Sequence, residues 1–236
     1  MTIALILSGG TGTRLGADVP KQYIKVYDRC IISYCIERLL KHEGIDKMQI
    51  VAAPQWHQTI RNCLEKYDSP KSVNNRKFQG FSQPGKTRQL SIYNGLTDIL
   101  TYAQEADTVL IHDAARPMLS VQMITDCLEA MRNHDGVVPV LPMKDTVYQS
   151  IDGNNIDALV KRNEIYAGQA PEVFRLGLYY KANKALFPDK ILEINGSTEP
   201  AILAGMDIVM IPGNEGNFKI TTTEDLERFR RVANTQ

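Results

Sequence analysis

A chain of 236 residues, 43% hydrophobic and 23% charged, has an ordinary globular balance with enough apolar material for a sizeable core. It suggests one large domain or two small ones and excludes disorder, collagen and coiled coil. Since 27 Lys and Arg meet 27 Asp and Glu, no global positive field invites nucleic acid or an anionic membrane, and basic character is confined to local pockets.

The opening MTIALILSGGTGTR has a short apolar run with no basic segment before it. Ile3–Leu7 therefore reads as a first strand buried on both faces, not as a signal peptide. A Gly-rich turn follows, and Ile31–Lys41 carries Ile32, Cys35, Ile36 and Leu39 at helical spacing. Met48–Ala53 reads as a strand, Gln58–Tyr67 as a helix and Arg88–Leu100 as a helix with Ile92, Leu96 and Ile99 aligned. Thr108–His112 is a buried strand ending in Asp113, Val121–Asn133 a helix and Gly136–Leu141 a strand. Asp207–Ile211 is a late strand, and Thr223–Ala233 a helix capped by Thr222 or Thr223. Strands alternating with helices predict an α/β layer fold with a mostly parallel sheet.

The stretch Met143–Tyr166 differs from its surroundings. It is polar, with β-like flanks at Thr146–Ser150 and Ile156–Val160 around an Asp152-Gly153 turn. It is either an ordinary surface hairpin or an arm that reaches a partner subunit. No apolar stretch approaches the ~18 residues of a membrane span. The four cysteines form no Cys-x-x-Cys pair and read as reduced cytosolic thiols, which points to a cytoplasmic protein. The four histidines lack zinc-ligand spacing.

Four constellations carry chemistry. Ser8-Gly9-Gly10-Thr11-Gly12-Thr13-Arg14 follows the first strand, with Pro20-Lys21-Gln22 beyond it. Ligands of open α/β sheets bind past the carboxyl ends of strands, glycines there let backbone N–H groups approach phosphates, and Arg14 and Lys21 supply positive charge. The dinucleotide fingerprint fails, because its last glycine falls on Leu15. Gly80–Thr87 matches the G-x-x-x-x-G-K-T of a P-loop, and Val109–Asp113 imitates the apolar strand and Asp that hold Mg²⁺ in such enzymes. The polar Val73–Gln79 ahead of Gly80 argues against the buried strand that a P-loop must leave. At His112-Asp113-Ala114-Ala115-Arg116-Pro117, Asp113 either holds Mg²⁺ or a ribose, or caps the next turn and pairs with Arg116. Lys219, between apolar Phe218 and Ile220 on a predicted short strand, is placed to aim at a phosphate.

Five segments in order carry a resemblance over about residues 3–229. They are Gly9–Arg14 with Pro20–Tyr23, Gly85-x-x-Arg88-x-x-Ser91-x-x-Asn94-Gly95-Leu96, His112–Pro117, Asp145-Thr146, and Asn217–Thr221. Together they resemble the methylerythritol-phosphate cytidylyltransferases and the related ribitol-5-phosphate cytidylyltransferases. The resemblance implies a GT-A-like, Rossmann-like fold over residues 1–236, with an arm at about 143–166 that helps form a homodimer. It implies CTP as cosubstrate, Mg²⁺, a CDP-polyol product and release of pyrophosphate, in isoprenoid or cell-wall and capsule polymer synthesis. By position, Arg14, Lys21 and Lys219 become catalytic groups around the CTP phosphates. Ser8, Gly9, Gly10, Thr11 and Gly12 join the nucleotide site, where Gly85 and Ser91 contact cytosine and Arg88 supports their loop. Asp113 lies near the ribose and the metal. Ala114, Thr146 and Arg162 bind the acceptor, the last two in the other subunit's site.

The acceptor side departs from the pattern. The family's Gln-Thr-Pro-Gln reads Gln169-Ala170-Pro171-Glu172 here, without the hydroxyl. Its Thr-Asp segment, followed by an acid or Ala, is Asn195–Pro200 here, where Ser197, Thr198 or Glu199 substitutes. A site built for a hydroxyl rejects molecules lacking it, so these changes bear on acceptor choice. A P-loop kinase or NTPase and a non-catalytic CTP-binding relative are the alternatives. Alanine at Lys86 is expected to cripple the P-loop enzyme and barely touch the cytidylyltransferase.

Overall fold

The computed structural model describes residues 1–10, 19–67 and 77–234. Strand β1 (Thr2–Leu7) has Ile3, Ala4, Leu5 and Ile6 wholly buried, as an unbroken apolar run requires when helices cover both faces. A ribbon of β2 (Lys25–Val26) and β3 (Arg29–Cys30) turns through Tyr27 and Asp28, both at positive φ, into α1 (Ile31–Lys41). Then come β4 (Lys47–Val51), α2 (His57–Glu65), β5 (Phe78–Ser82), α3 (Arg88–Ile99), β6 (Thr108–Asp113), α4 (Val121–Ala130) and β7 (Gly136–Pro142). The chain leaves as the hairpin β8 (Val147–Gln149) and β9 (Ala158–Val160). It returns through β10 (Tyr166–Gly168), β11 (Glu172–Arg175), α5 (Leu176–Lys184), α6 (Glu199–Leu203), β12 (Ile208–Pro212) and α7 (Thr223–Ala233).

The strand order is β10-β7-β11-β6-β1-β4-β5, with β12 pairing alongside β7. The half from β6 to β5 is parallel throughout, while β10 and β11 run antiparallel to their neighbours. Helices α1, α2 and α4 cover one face around Cys35, Ile36, Ile60 and Met123. Helices α3, α5 and α6 cover the other around Ile92, Leu96, Tyr179 and Ala201. From β1 the chain runs outward to β4 and β5, then crosses back to lay β6 on the other side of β1. The ends of β1 and β6 therefore flank a topological switch point, where a crevice opens.

Several expectations need correction. The strand ahead of the P-loop-like segment does exist, but it contains Gly80, which pairs with Gln49 of β4. Its polarity follows from its place at the sheet edge. With Gly80–Ser82 paired in a strand, the segment cannot form the loop of a P-loop. Lys219 lies in irregular chain and not on a strand. The arm's connection spans residues 150–157, longer than a two-residue turn. Gly153 takes φ +76° there, and the Asp152 carboxylate accepts from the N–H groups of Asn154 and Asn155, both at 2.8 Å. The stretch after the arm, where the sequence predicts no element before Asp207, holds β10, β11, α5 and α6. Among the described residues no helix is long and apolar enough to cross a membrane.

Candidate active site

The turn after β1 is held by residues outside it. Buried Gln22 donates its side-chain amide to the carbonyls of Ser8 at 2.9 Å and Gly10 at 2.7 Å. The Ser8 hydroxyl donates to the Tyr23 hydroxyl at 2.8 Å, which donates back to the Ser8 carbonyl at 3.0 Å. Ser8 is thus committed to holding the turn, while Gly9 and Gly10 line the crevice. A Cβ on Gly9 would come within 2.6 Å of Pro84 Cβ, so glycine lets this turn touch the loop after β5. Thr11, Gly12 and Arg14 lie outside the described residues.

That second loop, residues 83–87, is tied to α3. Thr87 caps the helix by accepting from Leu90 N–H at 3.1 Å. Asn94 donates to the Gln83 carbonyl at 2.9 Å. The Ser91 hydroxyl accepts from Gly85 N–H at 2.9 Å and donates to the Thr87 carbonyl at 3.0 Å. A Cβ on Gly85 would sit 2.4 Å from Leu90 Cβ and 2.8 Å from the Leu90 carbonyl carbon, which only glycine avoids. Arg88, expected to support this loop, turns instead to Asp113.

Asp113 ends β6 as the meeting point of three cations. Its Oδ1 accepts from Arg88 Nη2 at 3.2 Å and Nε at 3.3 Å. Its Oδ2 lies 2.9 Å from Lys219 Nζ and 3.7 Å from Arg116 Nε. Burial opposes the carboxylate's charge, but Arg88, Lys219 and Arg116 outweigh it and hold its pKa well below the usual range. Lys219 reaches this point because Ile220 N–H bonds the Ala115 carbonyl at 2.9 Å. Arg116 also donates to the Asn217 carbonyl at 2.7 Å. The alternative that Asp113 pairs with Arg116 is therefore one part of a larger cluster. Next to it, wholly buried His112 places Nε2 3.0 Å from the Arg116 carbonyl, while its Nδ1 has no partner. Burial pushes its pKa down to about 4.

These parts enclose a cavity of about 410 Å³, lined by Gly9, Gly10, Lys21, Gly85, Arg88, Ser91, Asp113 and Lys219, together with Ala115 and Lys86. Lys86 is not among the expected site residues, and its place on the cavity removes the clean contrast expected of its alanine variant. Ala114 does not line the cavity. It is 1% exposed within the core, its N–H bonded to the Leu7 carbonyl, and Ala115 takes the lining position. Thr146 and Arg162 are exposed on the arm and lie outside the cavity. Arg162 donates to the Lys144 carbonyl at 2.8 Å and braces the arm's base. Of the three residues left open at 195–200, Ser197 and Thr198 face Glu172, whereas Glu199 accepts from Asn195 N–H at 2.9 Å.

A family profile described as "IspD: 2-C-methyl-D-erythritol 4-phosphate cytidylyltransferase" matches residues 2–232. A "Bifunctional enzyme IspD/IspF" of Granulibacter bethesdensis is 35% identical over 97% of this chain, which spans about half, 55%, of that relative's length. A ribitol-5-phosphate cytidylyltransferase of Vibrio parahaemolyticus is 28% identical over 100% of this chain and 97% of its own. The crystal structure of Francisella tularensis 2-C-methyl-D-erythritol 4-phosphate cytidylyltransferase superposes with a TM-score of 0.78 at 25% identity, covering 99% of this chain and 98% of that one. With the match running through both halves of the crevice, the chain belongs to the IspD family of nucleotidyltransferases.

Proposed function

We propose that this protein transfers CMP from CTP to a polyol phosphate and releases pyrophosphate, as a single nucleotidyltransferase domain acting in the cytoplasm. The observation that carries the reading is the juxtaposition of Asp113, Lys219 and Lys21 with the Gly9–Gly10 turn around one 410 Å³ cavity at the switch point. That size suits a small ligand, and its cations suit a polyphosphate.

The nucleophile is an oxygen of the acceptor's phosphate monoester, largely dianionic near pH 7 because its second pKa is ≈ 6. It needs no general base, in keeping with a cavity lined by no histidine among the described residues. The oxygen attacks the α-phosphorus of CTP. A new phosphorus–oxygen bond forms as the bond to the bridging oxygen breaks, and pyrophosphate leaves with the electron pair. The protein's part is in-line positioning and charge neutralisation. Lys21, Lys86 and the Gly9–Gly10 backbone hold the triphosphate, and the resemblance adds Arg14, which lies outside the described residues. Lys219 meets the charge that develops at the α-phosphorus. Gly85 lies at the base, its loop kept in shape by Ser91. Asp113 orients Lys219 and Arg88.

Mg²⁺ fits this site in one way. Asp113 is the one carboxylate among the described lining residues, and they hold no group of three metal-ligating side chains. Mg²⁺ commonly takes one or two carboxylates and fills its remaining positions with waters and substrate phosphates. Asp113, whose oxygens face Arg88 and Lys219, is the residue that would hold it, by giving up part of that pairing, and the ion would neutralise phosphate charge. The arm supplies the acceptor contacts of Thr146 and Arg162 to a second copy in a homodimer. Tyr148, Ile151, Ile156 and Leu159, all exposed on it, suit such a contact.

The test is pyrophosphate release with CTP and Mg²⁺ against 2-C-methylerythritol 4-phosphate, ribitol 5-phosphate and other polyol phosphates. Turnover with one of them is expected. Silence with all, while CTP still binds, overturns the reading.

A further inference from the structure

Gln169 is a buried amide outside the mechanism above, and it follows β10 on the chain's return from the arm. Its own N–H bonds the Pro139 carbonyl of β7 at 2.8 Å. Its side chain grips a single residue far along the chain from both sides. Nε2 donates to the Asn214 carbonyl at 3.0 Å, and Oε1 accepts from the Asn214 N–H at 2.9 Å. Paired residues of an antiparallel ladder exchange the same two bonds through their backbones. Gly213, the residue before Asn214, adds a bond from its N–H to the Val140 carbonyl at 2.8 Å.

Asn214 opens the turn that leads to Lys219. Its carbonyl also accepts from Asn217 N–H at 2.9 Å, and its Oδ1 accepts from Gly216 N–H at 2.7 Å. Buried Asn217 carries the position onward. Its Nδ2 donates to the carbonyl of Ala170, next to Gln169, at 2.7 Å, and its own carbonyl accepts from Arg116 at 2.7 Å. Two residues later the Lys219 ammonium meets Asp113. The arm has a second tie to this turn, the pair of Lys144 with Glu215, but both side chains are exposed and water and salt screen them. The buried clamp on Asn214 is the firmer of the two.

We infer that Gln169 is a positioning residue: by holding both backbone groups of Asn214 it fixes the turn that sets Lys219 at the α-phosphorus, and so ties the arm's return strand to the group that stabilises charge there. A preorganised charge is worth most when its place is fixed before the reaction begins. This rests on the transfer reaction proposed above.

The test is a double-mutant cycle on the rate of transfer, read in single turnover so that slow variants stay measurable. Gln169→Met keeps the length of the side chain and removes both bonds. With Lys219 present it is expected to lower the rate about ten- to hundred-fold, the scale for a reacting group displaced by about 1 Å. The KM for CTP in steady state is expected to stay within about three-fold. In a Lys219→Ala background the same substitution is expected to change the rate by less than about three-fold, because the lysine it positions is gone. A like factor in both backgrounds overturns the inference, since a merely structural loss moves them together, and so does an unchanged rate with Lys219 present. Thermal melts report the fold. Should Gln169→Met fail to fold, Gln169→Glu carries the same cycle: it keeps the bond from Asn214 N–H and sets an oxygen against the Asn214 carbonyl. A wild type silent with every polyol phosphate overturns the transfer reaction and this inference together; an active wild type with like factors in both backgrounds overturns this inference alone.

Discussion

The Lys219 ammonium lies 2.9 Å from Asp113 Oδ2, joining the chain's C-terminal segment to the end of a central strand. The side chains differ in exposure, 36% for Lys219 and 10% for Asp113, and this sets different outcomes for their removal. Lys219→Ala leaves a carboxylate that Arg88 and Arg116 still neutralise, so thermal stability is expected to change little. Its kcat is expected to fall about 100-fold or more, as when one preorganised charge-stabilising group is lost. Asp113→Ala leaves three cations facing one another and is expected to destabilise the fold by about 3–5 kcal/mol, the scale for breaking a buried pair. Paired thermal melts and pyrophosphate kinetics separate the two. A Lys219→Ala variant with wild-type kcat would remove Lys219 from the chemistry.

Lys86 lines the same cavity from the loop after β5. It is exposed, so its charge is screened and its contribution modest. Lys86→Ala is expected to raise the KM for CTP about three- to ten-fold with kcat nearly unchanged, the signature of lost uniform binding. Steady-state kinetics at two ionic strengths checks this, because the effect should shrink in higher salt. A collapse of kcat by orders of magnitude would restore to Lys86 the central role it has in a P-loop enzyme.

The crevice is legible in the sequence because its parts sit at strand ends that advertise themselves. Ile3–Ile6 and Val109–Ile111 are unbroken apolar runs, and each gives way abruptly to polar chemistry: Ser8-Gly9-Gly10 after the first and Asp113 after the second. The helix Arg88–Ile99 is equally plain from its spacing. The elements that escape are set by tertiary context. Strand β11 is only four residues, and its antiparallel insertion between β6 and β7 is decided by partners far off in sequence. The clustering of Glu172 with Ser197 and Thr198 depends on that insertion. In the sequence Lys86 belongs to a false motif, although Ser91 and Asn94, one and two turns along α3, bend its loop onto the crevice.

Gly85→Ala probes that loop. The added methyl would meet Leu90 Cβ at 2.4 Å and the Leu90 carbonyl carbon at 2.8 Å. The backbone cannot yield as a flexible side chain would, so the loop must move off α3 and lose the Gly85–Ser91 hydrogen bond. Overpacking of this kind costs about 1–3 kcal/mol. A lower melting temperature is expected together with a raised KM for CTP, while Ser91→Ala, which removes the bond without adding volume, should give the milder version of both. Equal or reversed severity would show that the hydrogen bond, and not the close approach, holds the loop.

His112 sets an acid limit on the fold. Burial depresses its pKa to about 4 from the ordinary 6.5, so the native state keeps it neutral while the unfolded chain takes up a proton. Its contribution to stability is therefore full above about pH 6.5, falls as the pH drops from there to about 4, and loses nothing further below. The loss over that window is up to about 3 kcal/mol. His42, also pushed down by burial, adds to the same limb, and His112→Asn leaves that part in place. Denaturant unfolding at pH 7 and pH 5 is expected to show a steep loss in wild type and a clearly smaller one in His112→Asn, whatever the variant's absolute stability. Equal pH slopes in the two proteins would mean that His112 charges without cost in the native state, and that its unpartnered Nδ1 finds an acceptor when protonated.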